Sequence, residues 1–226
     1  MEEPIGPFLG GTLAPIGLTV SFLGKPIAEV RSSLVSWREG LGQRLEQTNP
    51  AALPECARVL DPLEAPWTAE LLIDCGPWTA YLNNGIDGGD PTAAAPALSI
   101  RIGCDCVVAM HSPLYGPGHA STQLSLLGPS GKPPLMYVRA IAAHAEDGRW
   151  SWYESGEVQR FEDPERYKAR RIRDRFDRPA LLTYLAALGI RADDAAFYEA
   201  GIGIRQMVAY PRRQETAAVV RARFGW

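Results

Sequence analysis

"TQLSLLGPSGKPPLMYVRAIAAHAEDGRWSWY", residues 122–153, decides the fold. Three runs within it, TQLSLLG, MYVRAIAAH and RWSWY, are apolar or aromatic and end at Gly, Pro or Asp, the punctuation of short β-strands. The last two are separated by Glu146-Asp147-Gly148-Arg149. Asp-Gly between two such runs predicts a tight hairpin, because those residues tolerate the positive φ that the turn demands. Connections this short leave no room for crossover helices, so neighbouring strands are expected to run antiparallel.

Outward from this stretch the pattern repeats. ELLID (70–74), WTAYL (78–82), ALSIRIG (97–103) and CVVAM (106–110) read as further strands, as does IGLTVSFL (16–23) near the start. Between them, residues 26–47 place Ile27, Val30, Leu34, Trp37, Leu41 and Leu45 at steps of three and four, one apolar stripe on a helix opened by Pro26. Gly40 and Gly42 weaken its last turns, so an end near Glu39 is expected. Residues 48–68 are turn-rich around Pro50, Pro54, Pro62 and Pro66, which marks a boundary between an N-terminal appendage (1–60) and a main domain (61–226), within what is otherwise a single body.

The C-terminal third changes period. Asp163-Pro164 is a cap and first-turn pair, and FEDPERYKARRIRDRF (161–176) is expected to be helical on Tyr167, Ile172 and Phe176. RPALLTYLAALGI (178–190) predicts a second helix stopped by Gly189, RADDAAFYEAG a short helical turn, and IGIRQMVAY and TAAVVRARF two more strands. The expected class is α+β: a mainly antiparallel sheet with helices packed on one face.

Composition narrows function. Apolar content of 46% with 22% charged residues is that of a soluble globular protein. A net charge of −3 argues against a general nucleic-acid binder. The start has no basic n-region and no apolar run is long enough to span a bilayer, so a cytoplasmic protein without membrane partners is expected, with Cys56, Cys75, Cys104 and Cys106 reduced.

Several clusters invite chemistry. CDCVVAMHSPLYGPGH (104–119) holds Cys104, Cys106, His111 and His119, types that bind zinc. On an extended strand, however, Cys104, Cys106, Val108 and Met110 share one face and His111 takes the other, so no metal site is expected. No phosphate-binding glycine motif is present: GPSGK (128–132) is too short and runs into prolines, and no cofactor is expected. NNGIDGGDP (83–91) has turn chemistry around Asn83, Asn84, Asp87 and Asp90, preceded by Trp78 and Tyr81 on opposite strand faces. Arg166, Lys168, Arg170, Arg171, Arg173, Arg175 and Arg178 outnumber Glu165, Asp174 and Asp177, and an internal pairing of Arg170 with Asp174 is expected if this segment is helical.

PWTAYLNNGIDGGDP (77–91), together with Trp152, Phe161-Glu162, Tyr167, Arg170, Arg171, Asp174-Arg175-Phe176 and Leu188-Gly189-Ile190, resembles a group of uncharacterised actinobacterial proteins of similar length. The likeness covers about residues 70–200 and implies no established activity. By type rather than by motif, small proteins of this kind look like toxin-neutralising, immunity-like or other accessory binders.

The functional expectation is therefore a non-catalytic protein that binds a protein partner of basic character. Trp78, Tyr81, Asn83, Asn84, Asp87 and Asp90 would contribute from one loop, Trp150 and Trp152 from an aromatic edge, and Arg170 and Arg171 from the basic run, with a homodimer as a further option. The alternatives are a hydrolase or nucleotide-processing enzyme built on Asp87, Asp90, His111 and His119, and phosphate-backbone binding through residues 166–178.

Overall fold

A computed structural model describes residues 8–9, 13–86 and 94–224. In chain order its elements are β1 (Thr19–Leu23), α1 (Ile27–Gly40), β2 (Arg44–Gln47), β3 (Ala51–Ala52), β4 (Leu63–Ala65), β5 (Ala69–Cys75), β6 (Trp78–Asn83), α2 (Ala94–Ile102), β7 (Cys106–Tyr115), β8 (His119–Lys132), β9 (Tyr137–Glu146), β10 (Arg149–Gly156), α3 (Arg178–Ala187), β11 (Ala200–Met207), β12 (Arg213–Glu215) and α4 (Ala217–Phe224). Ten strands form one antiparallel sheet in the order β10-β9-β8-β7-β1-β6-β5-β11-β2, with β3 paired beside β11; β12 and β4 form a separate ribbon. This is the expected α+β class. Among the described residues no helix is long and apolar enough to cross a membrane.

β1 lies between β6 and β7, in the middle of the sheet, and β2 forms its far edge. Residues 13–60 are thus woven into the body through these strands rather than appended to it. The central strands are apolar on both sides because both are covered. Val20, Phe22, Leu71, Ile73, Ala80, Val107 and Ala109 join a first core with Leu181, Tyr184 and Leu185 of α3. Leu72, Tyr81, Cys106 and Val108 join a second core with Val30 and Leu34 of α1 and Ala95 and Leu98 of α2.

Asp147 (φ 49°) and Gly148 (φ 75°) make the two-residue turn that joins β9 to β10. α1 ends at Gly40, and Leu45 belongs to β2. α3 is capped by the Asp177 side chain on the Ala180 amide and closed by Gly189 at φ 79°. Three segments differ from expectation. ALSIRIG is helical, not extended: Ala94, Ala95, Leu98 and Ser99 are buried at helical spacing while Ile100 is half exposed. TAAVVRARF forms α4, not a strand. Residues 161–176 form two isolated 3₁₀ turns, Arg166–Lys168 and Ile172–Asp174, not a continuous helix. Side-chain bonds from Tyr167 to Glu162 and Tyr184 tie that segment to the core and outweigh a weak helical preference.

Candidate functional site

Tyr81 is fully buried. Its hydroxyl donates to Glu70 Oε1 at 2.7 Å, and Arg38 of α1 grips the same carboxylate at 2.7 and 3.2 Å. Burial alone would lower the Arg38 pKa, but Glu70 outweighs it and the value is raised. The Tyr81 hydroxyl is pushed well up by burial and then by Glu70, so it stays a donor. Asn84 is equally internal: its Oδ1 accepts from the Thr68 and Ala69 amides at 2.9 and 2.8 Å, and its Nδ2 donates to the Pro62 carbonyl. Asn83 Oδ1 accepts from the Gly85 amide. These three expected contact residues brace the sheet instead, since buried polar groups need such partners. Trp78 is half-buried against the first core. Asp87 and Asp90 lie outside the described residues.

The two expected imidazoles are apart. His111, 4% exposed, points into the first-core side, with Nδ1 3.0 Å from Thr122 Oγ1. His119 lies on the other face, its ring 5.7 Å from that of Tyr115, in a shallow depression of about 280 Å³ shared with Met110, His144 and Glu146. Strand parity at 110–112 produces this separation. Cys104 and Cys106 pack in the second core beside Val108, away from His111. Burial raises the thiol pKa values of both, and pushes Cys75 up to about 12. Such thiols are inert packing.

Three members of the basic run are closely paired in place. Arg171 pairs with Asp174 at 2.5 Å, Lys168 with Glu165 at 2.6 Å and Arg166 with Asp177 at 2.7 Å. Arg171 rather than Arg170 thus takes Asp174, because the segment is not a helix; Arg170 remains exposed. Beneath it, Arg139 is 2% exposed and bonds Glu162 and Glu154. Burial would lower its pKa, but the two carboxylates hold it raised. Trp152 faces this side, its ring 5.0 Å from that of Tyr167, and Trp150 also packs on the first core. Both tryptophans are half-buried supports rather than free surface anchors. Tyr153, next after Trp152 in sequence, points the other way and is 54% exposed.

That other face carries a wide concavity. On the second-core side the helices cover the sheet only as far as Leu127. Beyond it, Gln123 and Ser125 of β8, Ala140 and Ala142 of β9, and Tyr153 and Ser155 of β10 floor a groove of about 1090 Å³. Cross-strand register aligns Ser125 with Ala140 and Ser155, and Gln123 with Ala142 and Tyr153. Mostly small side chains keep the floor deep. Lys132, Pro133, Pro134, Leu135 and Tyr137 form one wall, and Glu157 and Gln159 lie at the other. Close backbone approach shapes the first wall: a Cβ on Gly131 would overlap the Met136 carbonyl. Leu135, Tyr137 and Tyr153 are large apolar side chains left exposed, and they gather here.

His144 Nε2 lies 2.8 Å from Ser151 Oγ on the same open face. A nucleophile and base at that distance need a third group and donors aimed at an oxyanion. Here both side chains stand on paired strands whose amides serve the ladder, and the pair reads as a cross-strand contact. The groove and this pair were not visible in the sequence. The alternation of small residues, Ser121, Ser125, Ala140, Ala142 and Ser155, was the available signal.

Among the described residues no group of three or more His, Cys, Asp or Glu is placed to hold a metal ion. Compared with known proteins, the chain matches no family model, no curated protein and no solved structure.

Proposed function

We propose that this is a non-catalytic binding protein that seats a segment of a partner protein in the groove on the open half of the sheet. One observation carries the reading: a helix-free sheet face floored by Ser125, Ala140, Ala142 and Ser155 and rimmed by exposed Leu135, Tyr137 and Tyr153. Concave apolar surface with rigid aromatic rims is what concentrates binding energy in a few anchors. The groove walls carry Lys132 on one side and Glu157 on the other, and favour a partner segment that sets charges of both signs beside an apolar anchor. A toxin-neutralising role is the biological setting that suits such a protein.

The test fills the groove. Ala142→Trp closes its floor and Tyr153→Ala removes its rim, while a folded control is verified by circular dichroism. A host protein retained by the wild type, and released by both variants, is the expected result. Equal retention by all three proteins, or no retained protein at all, refutes the reading.

A further inference from the structure

The sheet has two edges of opposite character. β2 is four residues long and carries Arg44 and Glu46, the short, charged construction that discourages pairing. β10 is the other edge, twice that length, and of its two charges Glu154 is drawn to Arg139. It pairs with β9 over eight consecutive residues without a register shift, and contains no proline. The β7–β8 and β8–β9 ladders, both internal, do contain register shifts.

Counting by two from the Glu146–Arg149 pair that closes the turn, Ser151, Tyr153 and Ser155 bond inward to β9. Trp150, Trp152 and Glu154 therefore direct their backbone N–H and C=O groups outward, and within the described chain no backbone partner meets them. Gly156 ends this row, since its carbonyl accepts from Arg139 Nη1. Charge is also unspent. Arg149 opens the strand and Glu157 follows its last residue, Gly156, on the groove side; both are exposed and form no ion pair among the described residues.

We infer that β10 pairs with β10 of a second copy of this chain, antiparallel, about a two-fold axis at Tyr153. In that register Arg149 of each copy faces Glu157 of the other, giving two opposite-charge pairs on the groove face. Parallel pairing would set Arg149 beside Arg149 instead. Trp152 and Glu154 exchange backbone hydrogen bonds across the junction, and the two exposed Tyr153 rings meet at the axis. The dimer joins two sheets into one and turns both grooves to the same side, whatever those grooves bind.

Sedimentation velocity on the full chain, from low micromolar to several hundred micromolar, tests this with wild type, Arg149→Glu, Glu157→Arg and the double reversal. Both residues are exposed, so the variants should fold, which circular dichroism checks. The wild type is expected to dimerise, each single reversal to weaken dimerisation about tenfold, and the double reversal to restore it. A wild type that stays monomeric overturns the inference. So does a dimer indifferent to the single reversals, or a loss in them that the double reversal does not recover.

Discussion

Glu64 shows how much a single side chain can hold in this protein. It is 1% exposed, accepts from the Thr68 hydroxyl and from Gln214 Nε2 at 2.7 Å, and lies 3.2 Å from Arg212 and 3.7 Å from Arg205. Burial alone would raise its pKa, but the Thr68 and Gln214 hydrogen bonds and the Arg212 charge hold it below the ordinary carboxyl value. A depressed folded-state value means that the unfolded chain binds the proton more readily. The stabilisation is complete above the ordinary carboxyl range, about pH 4.3, and drains away as pH falls through the lower folded value. Glu64→Gln is therefore expected to cost about 2–3 kcal/mol at neutral pH, tempered by the partial exposure of both arginines, and to flatten the acid limb of stability. Urea denaturation of both proteins across the acid range measures this; parallel acid limbs would contradict it. At this scale the sequence was only half legible. Period-two alternation correctly puts Trp78 and Tyr81 on opposite faces. That Tyr81 is the core residue depends on Glu70 and Arg38, whose meeting no local pattern announces.

Secondary-structure elements were legible where their ends are chemically marked. Asp147-Gly148, Pro26 with Gly40, and Gly189 each declare a boundary through backbone chemistry, and the structure has boundaries there. ALSIRIG is marked only at its last residue: Leu98, Ile100 and Ile102 alternate as a strand would, yet only Leu98 is fully buried. Gly103 at φ 68° and the Ser99 hydroxyl on the Cys104 carbonyl close α2 there. The turn between β7 and β8 supplies a prediction at this scale. Gly118 has φ 112°, its carbonyl accepts from the Gly148 amide at 3.0 Å, and a Cβ there would sit 2.5 Å from that nitrogen. Gly116, two residues earlier, has φ 52° and open space around it. Gly118→Ala is expected to cost about 1–3 kcal/mol, and more than Gly116→Ala, because it forces two docked turns apart. Thermal melts of the pair check the ranking, and equal losses would show that the turns do not dock.

At the scale of the whole molecule, strand order is what no sequence run could reveal. Proline-rich residues 48–68 look like a linker, yet Cys56, Ala57, Leu60 and Leu63 are buried there and the chain before them supplies β1. A fragment of residues 61–226 is accordingly expected to lack a cooperative urea transition, since it leaves β6 and β7 without the strand that joins them. A fragment that unfolds cooperatively, with near-native far-ultraviolet circular dichroism, would instead restore the two-part division.

The same central strand governs how synthesis and folding must overlap. β1 leaves the ribosome before either of its neighbours; β6 and β7 must follow, and β11, which joins β5 to the β2 edge, is made last of the ten. Contacts spanning so much of the chain make for slow closure, and the β2 edge joins the sheet only once β11 has been made.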